Sequence, residues 1–345
     1  MKTKTICRTT VLLTCIFTVL SCNRPITTPI SKITKTDFQR GITIACWDQS
    51  CLSGAQTETA MQAIKEIGAN SVTLVVTGYQ RTISATTIQY NQHQSPDDAS
   101  LKKGIEHAQK NGLEVTLKPH VDIMGGQWRG NLAPANIDTW FASYRDFIFH
   151  YADIARETGV AHFVVGTELA SLNKYENRWR TLIKLVRERY EGTILYAASW
   201  NEFERISFWD AVDIAGINAY FPLTHLKNPT LIDLLAGWQF WMQRIQQWHN
   251  HINKNVVFSE IGYTKWDGTN MRPFDFQPKT EVDLIEQASC YEAALRAMAE
   301  PSWLKGVSWW HWDVAHAATD RRFSAYSPQG RPAGTLLKQA WSTVN

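Results

Sequence analysis

The chain has no apolar run long enough to cross a bilayer. Its leading apolar stretch, Val11 to Leu20, is about half of the roughly 20 residues a membrane helix needs. It has no basic cluster interleaved with aromatics, and its formal net charge is only +3. Nucleic acid and other polyanionic partners are therefore excluded, because such a footprint is strongly positive. No glycine-rich turn follows the first apolar strand, which excludes a dinucleotide-binding sheet. No glycine-rich phosphate loop appears near the last strands, and no lysine sits in an obvious Schiff-base setting, which disfavours a phosphosugar isomerase or aldolase. No internal repeat is evident. Cysteine is sparse, with six in the whole chain.

What is present begins with a leader. Residues 1–21 carry Lys2, Lys4 and Arg8 but no acid, then the apolar run, then Ser21-Cys22. This is the layout of a secretory signal. Val19-Leu20-Ser21-Cys22 resembles a bacterial lipobox, with Leu20 where a small residue is usual, and it implies Cys22 as the lipidation site. The alternatives are ordinary secretion or an uncleaved anchor. Residues 22–36, with Pro25 and Pro29, read as a tether, and 37–345 as one domain. The expected location is the bacterial cell envelope, lipid-anchored on the periplasmic or outer surface, or outside the cell. The membrane is met only through the lipid, and a monomer is expected. The leader's three charges account for the whole net charge, so the remainder is formally neutral and suits an uncharged ligand. Past Cys22 remain Cys46, Cys51 and Cys290; Cys46 and Cys51 either pair or stay as buried thiols.

From there short apolar strands alternate with helical stretches. Strands are predicted at Gly41–Trp47, Ser71–Val76, Leu113–Lys118, His162–Val165, Thr193–Ala198, Val212–Ile217, Val256–Ser259 and Gly306–Trp310. Helices are predicted over 58–67, 96–111, 136–158, 173–190, 230–252, 282–299 and 333–342, with a shorter connection near 202–211. Gly68 and Gly112 follow the first two, where helix stops favour glycine. Eight strands with helical crossovers predict a single (β/α)8 TIM barrel.

Barrel enzymes build their sites at the carboxyl ends of the strands. The residues there are Trp47 and Asp48; Thr77 and Tyr79; Lys118, His120 and Asp122; Thr167 and Glu168; Ser199, Trp200 and Asn201; Asn218 and Tyr220; Glu260 and Tyr263; Trp310, Trp312 and Asp313. Strict alternation puts Val164, Gly166 and Glu168 on one face, Asn218 and Tyr220 on another, and Lys118, His120 and Asp122 together. Glu168 and Glu260 end the fourth and seventh strands and would face each other across the mouth. Two carboxyls about 5–5.5 Å apart suit a retaining glycosidase, and a gap of about 6.5–9.5 Å suits inversion.

Several motifs then carry a resemblance. Lys118-Pro119-His120-Val121-Asp122, Gln127-Trp128-Arg129-Gly130, Val165-Gly166-Thr167-Glu168-Leu169, Gly216-Ile217-Asn218-Ala219-Tyr220, Ser308-Trp309-Trp310-His311-Trp312-Asp313 and Ser327-Pro328-Gln329-Gly330-Arg331-Pro332-Ala333 resemble glycoside hydrolase family 113 of clan A. They span nearly all of residues 38–342. The resemblance implies endo-β-1,4-mannanase activity on mannan and glucomannan without a cofactor or metal. By position it implies Glu168 as acid/base, Glu260 as nucleophile and Tyr220 as the aromatic that hydrogen-bonds the nucleophile. Many clan members carry Asn where this chain has Thr167, so recognition of the sugar 2-hydroxyl differs here.

For the assignment to work, Glu168 must stay protonated, through apolar surroundings or the nearby Glu260 charge, and Glu260 must stay ionised through donors such as Tyr220, His120 or Lys118. Lys118 and His120 serve equally well as sugar contacts. The expected substrate contacts are Trp47, Lys118, His120, Asp122, Trp128, Arg129, Thr167, Trp200, Asn201, Asn218, Tyr220, Tyr263 and Trp310, with flat indole faces suited to pyranose rings. Trp266 and Trp312 also fall at strand ends or in loops, while Trp140, Trp179, Trp209, Trp238, Trp241, Trp248 and Trp341 read as packing. A lone glutamate ending a strand is ordinarily a cap or half of an ion pair; two, on the fourth and seventh strands, are not. Asp122 and Asp313 are expected to orient neighbours. Another clan A β-glycanase, an exo-β-mannosidase and a non-catalytic glycan-binding lipoprotein remain as alternatives.

Overall fold

The computed structural model describes residues 33, 35, 37–90, 94–277, 280–314 and 324–342. The expected signal segment and Cys22 lie outside these residues. Strands β1 (Gln39–Ile44), β2 (Ser71–Gln80), β3 (Glu114–Ile123), β4 (His162–Thr167), β5 (Thr193–Ser199), β6 (Ile214–Asn218), β7 (Val256–Ile261) and β8 (Leu304–Trp309) form a closed parallel barrel in chain order. It closes where β1 pairs with β8, Gln39 opposite Gly306. The fold is a single (β/α)8 barrel.

Helices α1 (Ala55–Glu66), α2 (Asp98–Lys110), α3 (Ile137–Glu157), α4 (Glu176–Arg187), α5 (Leu231–Ile252), α6 (Leu284–Met298) and α7 (Pro332–Trp341) cover its outside. Side chains suited to capping start several of them: Asp97 accepts from the Ser100 amide, and Thr230 with Asp233 forms a reciprocal capping box. Gly68 and Gly112 follow α1 and α2 at φ of +90° and +65°, a backbone that glycine adopts without strain. Between β5 and β6 the chain forms two short 3-10 turns, Phe203–Arg205 and Trp209–Ala211, in place of a helix. Their apolar residues Phe203, Ile206, Phe208 and Trp209 are buried at spacings no single helix face provides.

The large side chains pack between strands and helices. Trp140, Trp179, Trp238, Trp241, Trp248 and Trp341 are buried there, as helix patterning predicts, and Trp209 packs from a 3-10 turn. Inside the barrel the filling is smaller and partly polar. Val164, Leu195, Ala197 and Val257 form one apolar layer, and the hydroxyls of Thr43 and Thr73 each lie 2.8 Å from Ser308 Oγ. The end of the predicted tether is docked on the barrel. The Ile33 amide donates to the Ala340 carbonyl, and Lys35 Nζ donates to the Met298 and Pro301 carbonyls.

Candidate active site

Both strand-end glutamates follow an irregularity that alternation does not predict. On β4, Val164 pairs with Leu195 and Thr167 with Ala197, so three steps of β4 oppose two of β5. Leu195 and Ala197 face the barrel interior, and Val164 and Thr167 join them there. Gly166 is thereby turned outward: a Cβ on it would stand 2.6 Å from the Tyr196 ring and 3.0 Å from Trp179. The expected shared face of Val164, Gly166 and Glu168 is thus corrected, because a bulge resets the alternation by one residue. The Tyr144 hydroxyl donates to the Val165 carbonyl at 2.8 Å within the bulge. Glu168 then takes φ of +54°, a left-handed conformation that costs a non-glycine residue of order 1–3 kcal/mol. On β7, Phe258 pairs with Ile217 and Glu260 with Asn218, leaving Ser259 as the extra residue.

Glu260 is buried among donors. Lys118 Nζ donates to its Oε1 at 2.7 Å, the Tyr220 hydroxyl donates to its Oε2 at 2.9 Å, and His120 Nε2 lies 3.5 Å from Oε1. Burial alone would raise its proton affinity, but the Lys118 ammonium and the neighbouring imidazole outweigh burial and hold the carboxyl well below the ordinary range. Burial and the Arg129 charge push His120 down to about 4, so its imidazole is neutral. Lys118 also donates to Asn218 Oδ1 and to the Ser259 carbonyl, each at 3.0 Å. The expectation that Lys118 contacts sugar is corrected here. The ammonium is fully buried and all three of its N–H bonds end on protein acceptors.

Glu168 has a different setting. Burial and the Glu260 charge raise its proton affinity, against the opposing pull of Arg129, whose Nη1 lies 3.5 Å from Oε2. The Trp128 indole N–H donates to the same oxygen at 3.5 Å. Arg129 is in turn held by Asp122, with which it forms an ion pair, and by the Val121 carbonyl at 3.0 Å. Asp122 thus orients a neighbour. One carboxyl of the pair is driven up and the other down, which suits a proton donor facing an anion.

The rim is aromatic. Trp47 is 53% exposed and meets His311 edge-on; Trp128 is 41% exposed; Trp310 lies parallel to the His120 ring at 6.0 Å. Trp200 stacks on Phe274 at 5.9 Å and meets Trp241 edge-on. Asn201 is exposed, whereas Asn218 and Thr167 are buried. Thr167 Oγ1 has no hydrogen-bond partner among the described residues, while the Asn218 amide reaches Glu168 and favours its ionised form. A Cys46–Cys51 disulfide staples the loop carrying Trp47, and Cys290 is a buried free thiol.

Tyr263 is a third correction. It is fully buried against Tyr291 and does not reach the cleft, because the segment leaving β7 packs its side chain into the outer core. Trp312 is buried too. Three residues of the site escaped sequence reading. Tyr326 packs edge-on to Tyr220 at 5.9 Å and donates its hydroxyl to the Pro273 carbonyl. Phe274 backs Trp200. Glu202, buried at the end of β5, accepts from the Ser199 amide at 2.9 Å and from Asn173 Nδ2 at 3.2 Å, and burial pushes it up to about 7. Tyr326 directly precedes the Ser327–Ala333 motif, a positional signal that was available; Phe274 and Glu202 lie in loops without one. Among the described residues one acidic cluster, Asp267, Asp283 and Glu286, has the spacing of a metal site. Both Glu286 oxygens already accept backbone amides, from Gly268 and Asn270, so its charge anchors a loop.

Comparisons with known proteins agree with this geometry. The model of Glycoside Hydrolase Family 113 matches residues 47–327. A solved complex of a GH113 β-1,4-mannanase is 26% identical, with 88% of this chain and 98% of that chain covered at a TM-score of 0.81. The GH113 β-mannanase from Alicyclobacillus acidocaldarius, solved with ManMIm, is 28% identical over 88% and 97% of the two chains, also at 0.81. A β-glucuronidase from Ruminococcus gnavus is 11% identical, with 88% of this chain and 50% of that chain covered at 0.61, a likeness of fold alone. No curated protein sequence matches the chain.

Proposed function

The chain belongs to glycoside hydrolase family 113, and from that membership we propose that it is a retaining, endo-acting β-1,4-mannanase with Glu260 as nucleophile and Glu168 as general acid and base. It is a glycoside hydrolase. The observation that carries the assignment is the opposed electrostatics of the two strand-end carboxyls, Glu168 driven up and Glu260 driven down. In the first step Glu260 attacks the anomeric carbon while Glu168 protonates the departing glycosidic oxygen. In the second, Glu168 takes a proton from a water whose oxygen bonds to the anomeric carbon, and the bond to Glu260 breaks with its electron pair returning to the carboxylate. The Tyr220 donor and the Lys118 cation favour the anionic nucleophile before attack.

The mannose-type substrate is supported by the β-mannanases the chain resembles and by the ligand bound to one of them. Exposed Trp47 and Trp128 offer apolar faces for pyranose rings along an open rim, which suits mixed oligosaccharide products. Thr167, inward-facing with an unpartnered hydroxyl, stands where many clan members carry an amide, and it suits the axial 2-hydroxyl of mannose through a shorter side chain. We place the mature protein at the cell envelope through a lipid on Cys22, on the strength of the leader's pattern. Mass spectrometry of the mature amino terminus tests that point.

The activity is tested by product analysis on galactomannan, glucomannan and a linear β-glucan. Mixed manno-oligosaccharides from the first two are expected. Release of mannose alone indicates an exo-acting β-mannosidase, cleavage of the glucan alone another β-glycanase, and binding without turnover a glycan-binding protein. With Glu168→Ala and an activated substrate, azide restores turnover as a β-glycosyl azide if Glu168 is the acid/base; lack of rescue removes that role.

A further inference from the structure

Lys118 lies beneath the mouth, its ammonium sealed from solvent and its stem lining the barrel interior beside Val164, Leu195 and Val257. Two of its three acceptors are neutral, Asn218 Oδ1 and the Ser259 carbonyl, and Ser259 Oγ fixes the first of these through a 2.9 Å hydrogen bond. Among the described residues Glu260 is its only ionised hydrogen-bond partner. Burial lowers the proton affinity of Lys118, and Arg129 in the loop after β3 acts the same way, while Glu260 and, more weakly, Glu168 at the end of β4 favour the ammonium; His120 of β3 is neutral beside it. The reaction removes the partner. When Glu260 Oε bonds to the anomeric carbon and the glycosidic bond breaks, the leaving oxygen takes the proton of Glu168. The negative charge thereby passes from Glu260 to Glu168, while the ammonium stays where it is.

We propose that Lys118 is a positioning residue for both half-reactions: its fixed ammonium keeps Glu260 anionic for attack and, once Glu260 is an ester, stabilises the carboxylate that Glu168 has become. The proposal rests on the double-displacement reading above. In the second step the water oxygen bonds to the anomeric carbon, its proton passes to Glu168, and the electron pair of the ester bond returns to Glu260. The original ion pair is restored, and Lys118 neither gains nor loses a proton. The cradle of Asn218 and the Ser259 carbonyl serves this role, because it holds the cation in place when its anionic partner is consumed.

Lys118→Gln keeps a donor and removes the charge. Wild type and variant are compared across pH on manno-oligosaccharide and on an aryl β-mannobioside whose good leaving group makes the second step limiting. A cation at this range lowers both carboxyls, so its loss is expected to move both limbs of kcat/KM to higher pH by about one unit or more. The acidic limb of kcat on the aryl substrate, which reports Glu168 ionisation in the glycosyl-enzyme, moves the same way. Limbs that stay in place while the rate falls would overturn the proposal, since a merely structural lysine changes amplitude alone. If the variant does not fold, ¹⁵N NMR of Lys118 in wild-type enzyme trapped with a 2-fluoro sugar decides: an ammonium is expected, and a neutral amine overturns the proposal. Absence of turnover by the wild type on either substrate overturns the functional reading, and the proposal with it.

Discussion

Glu168 and Glu260 are the same residue type, and their neighbours alone separate them. Burial and the facing carboxylate raise Glu168, while Lys118 and His120 overcome burial at Glu260. The expected pH dependence of kcat/KM is a bell whose acidic limb reports Glu260 and whose basic limb reports Glu168, the latter above the ordinary glutamate range. Replacing Glu168 by Gln, assayed on a substrate that needs no acid in its first step, should abolish the basic limb; a basic limb that survives would assign it elsewhere. At this scale the two carboxyls and Tyr220 were legible, because each ends a short apolar strand. Lys118 was misread because a lysine ending a strand looks like a rim residue until its acceptors, 100 and 142 residues away in the chain, are in view. Tyr263 was misread for the complementary reason: a tyrosine past a strand end looks available until the outer core encloses it.

The elements place these residues through bulges that no periodicity reveals. Alternation on β4 predicted Gly166 on the face of Glu168, yet the extra residue in β4 turns the glycine against Tyr196 and Trp179 and leaves Thr167 inward. The need for glycine at this position follows from that contact. Gly166→Ala forces a Cβ to 2.6 Å from an aromatic ring, and overpacking of this kind costs about 1–3 kcal/mol. Calorimetry should record a fall in melting temperature of roughly 1–2 °C per kcal/mol for a domain of this size. Activity should fall as well, because the bulge aims Glu168. An unchanged melting temperature would mean that β4 relaxes without loss and that the close approach is not needed. Strands and most helices were readable from their periods, and the β5–β6 connection was not, since its buried residues follow no single period.

For the whole molecule, the alternation of apolar runs predicted the closed barrel, but not the buried charge that the barrel carries. Glu202 binds its proton more tightly folded than unfolded, with the folded value at about 7 against an ordinary 4.5. Its contribution to stability is therefore fully present below about pH 4.5 and is lost as pH rises through about 7, an effect of at most about 3 kcal/mol. Melting curves of wild type and Glu202→Gln between pH 4 and 8 should differ in slope, with the wild type losing stability relative to the variant as pH rises. Parallel curves would show that Glu202 is not protonated in the folded protein.

In the double displacement proposed above, Glu260 bonds to the sugar. Incubation with an activated 2-deoxy-2-fluoro-β-mannobiosyl donor, followed by proteolysis and peptide mapping by mass spectrometry, tests it directly. The expected result is one added fluoro-mannobiosyl mass on the peptide containing Glu260, localised to that side chain. A label on any other residue, or no label while the donor is hydrolysed with inversion at the anomeric carbon, would contradict it.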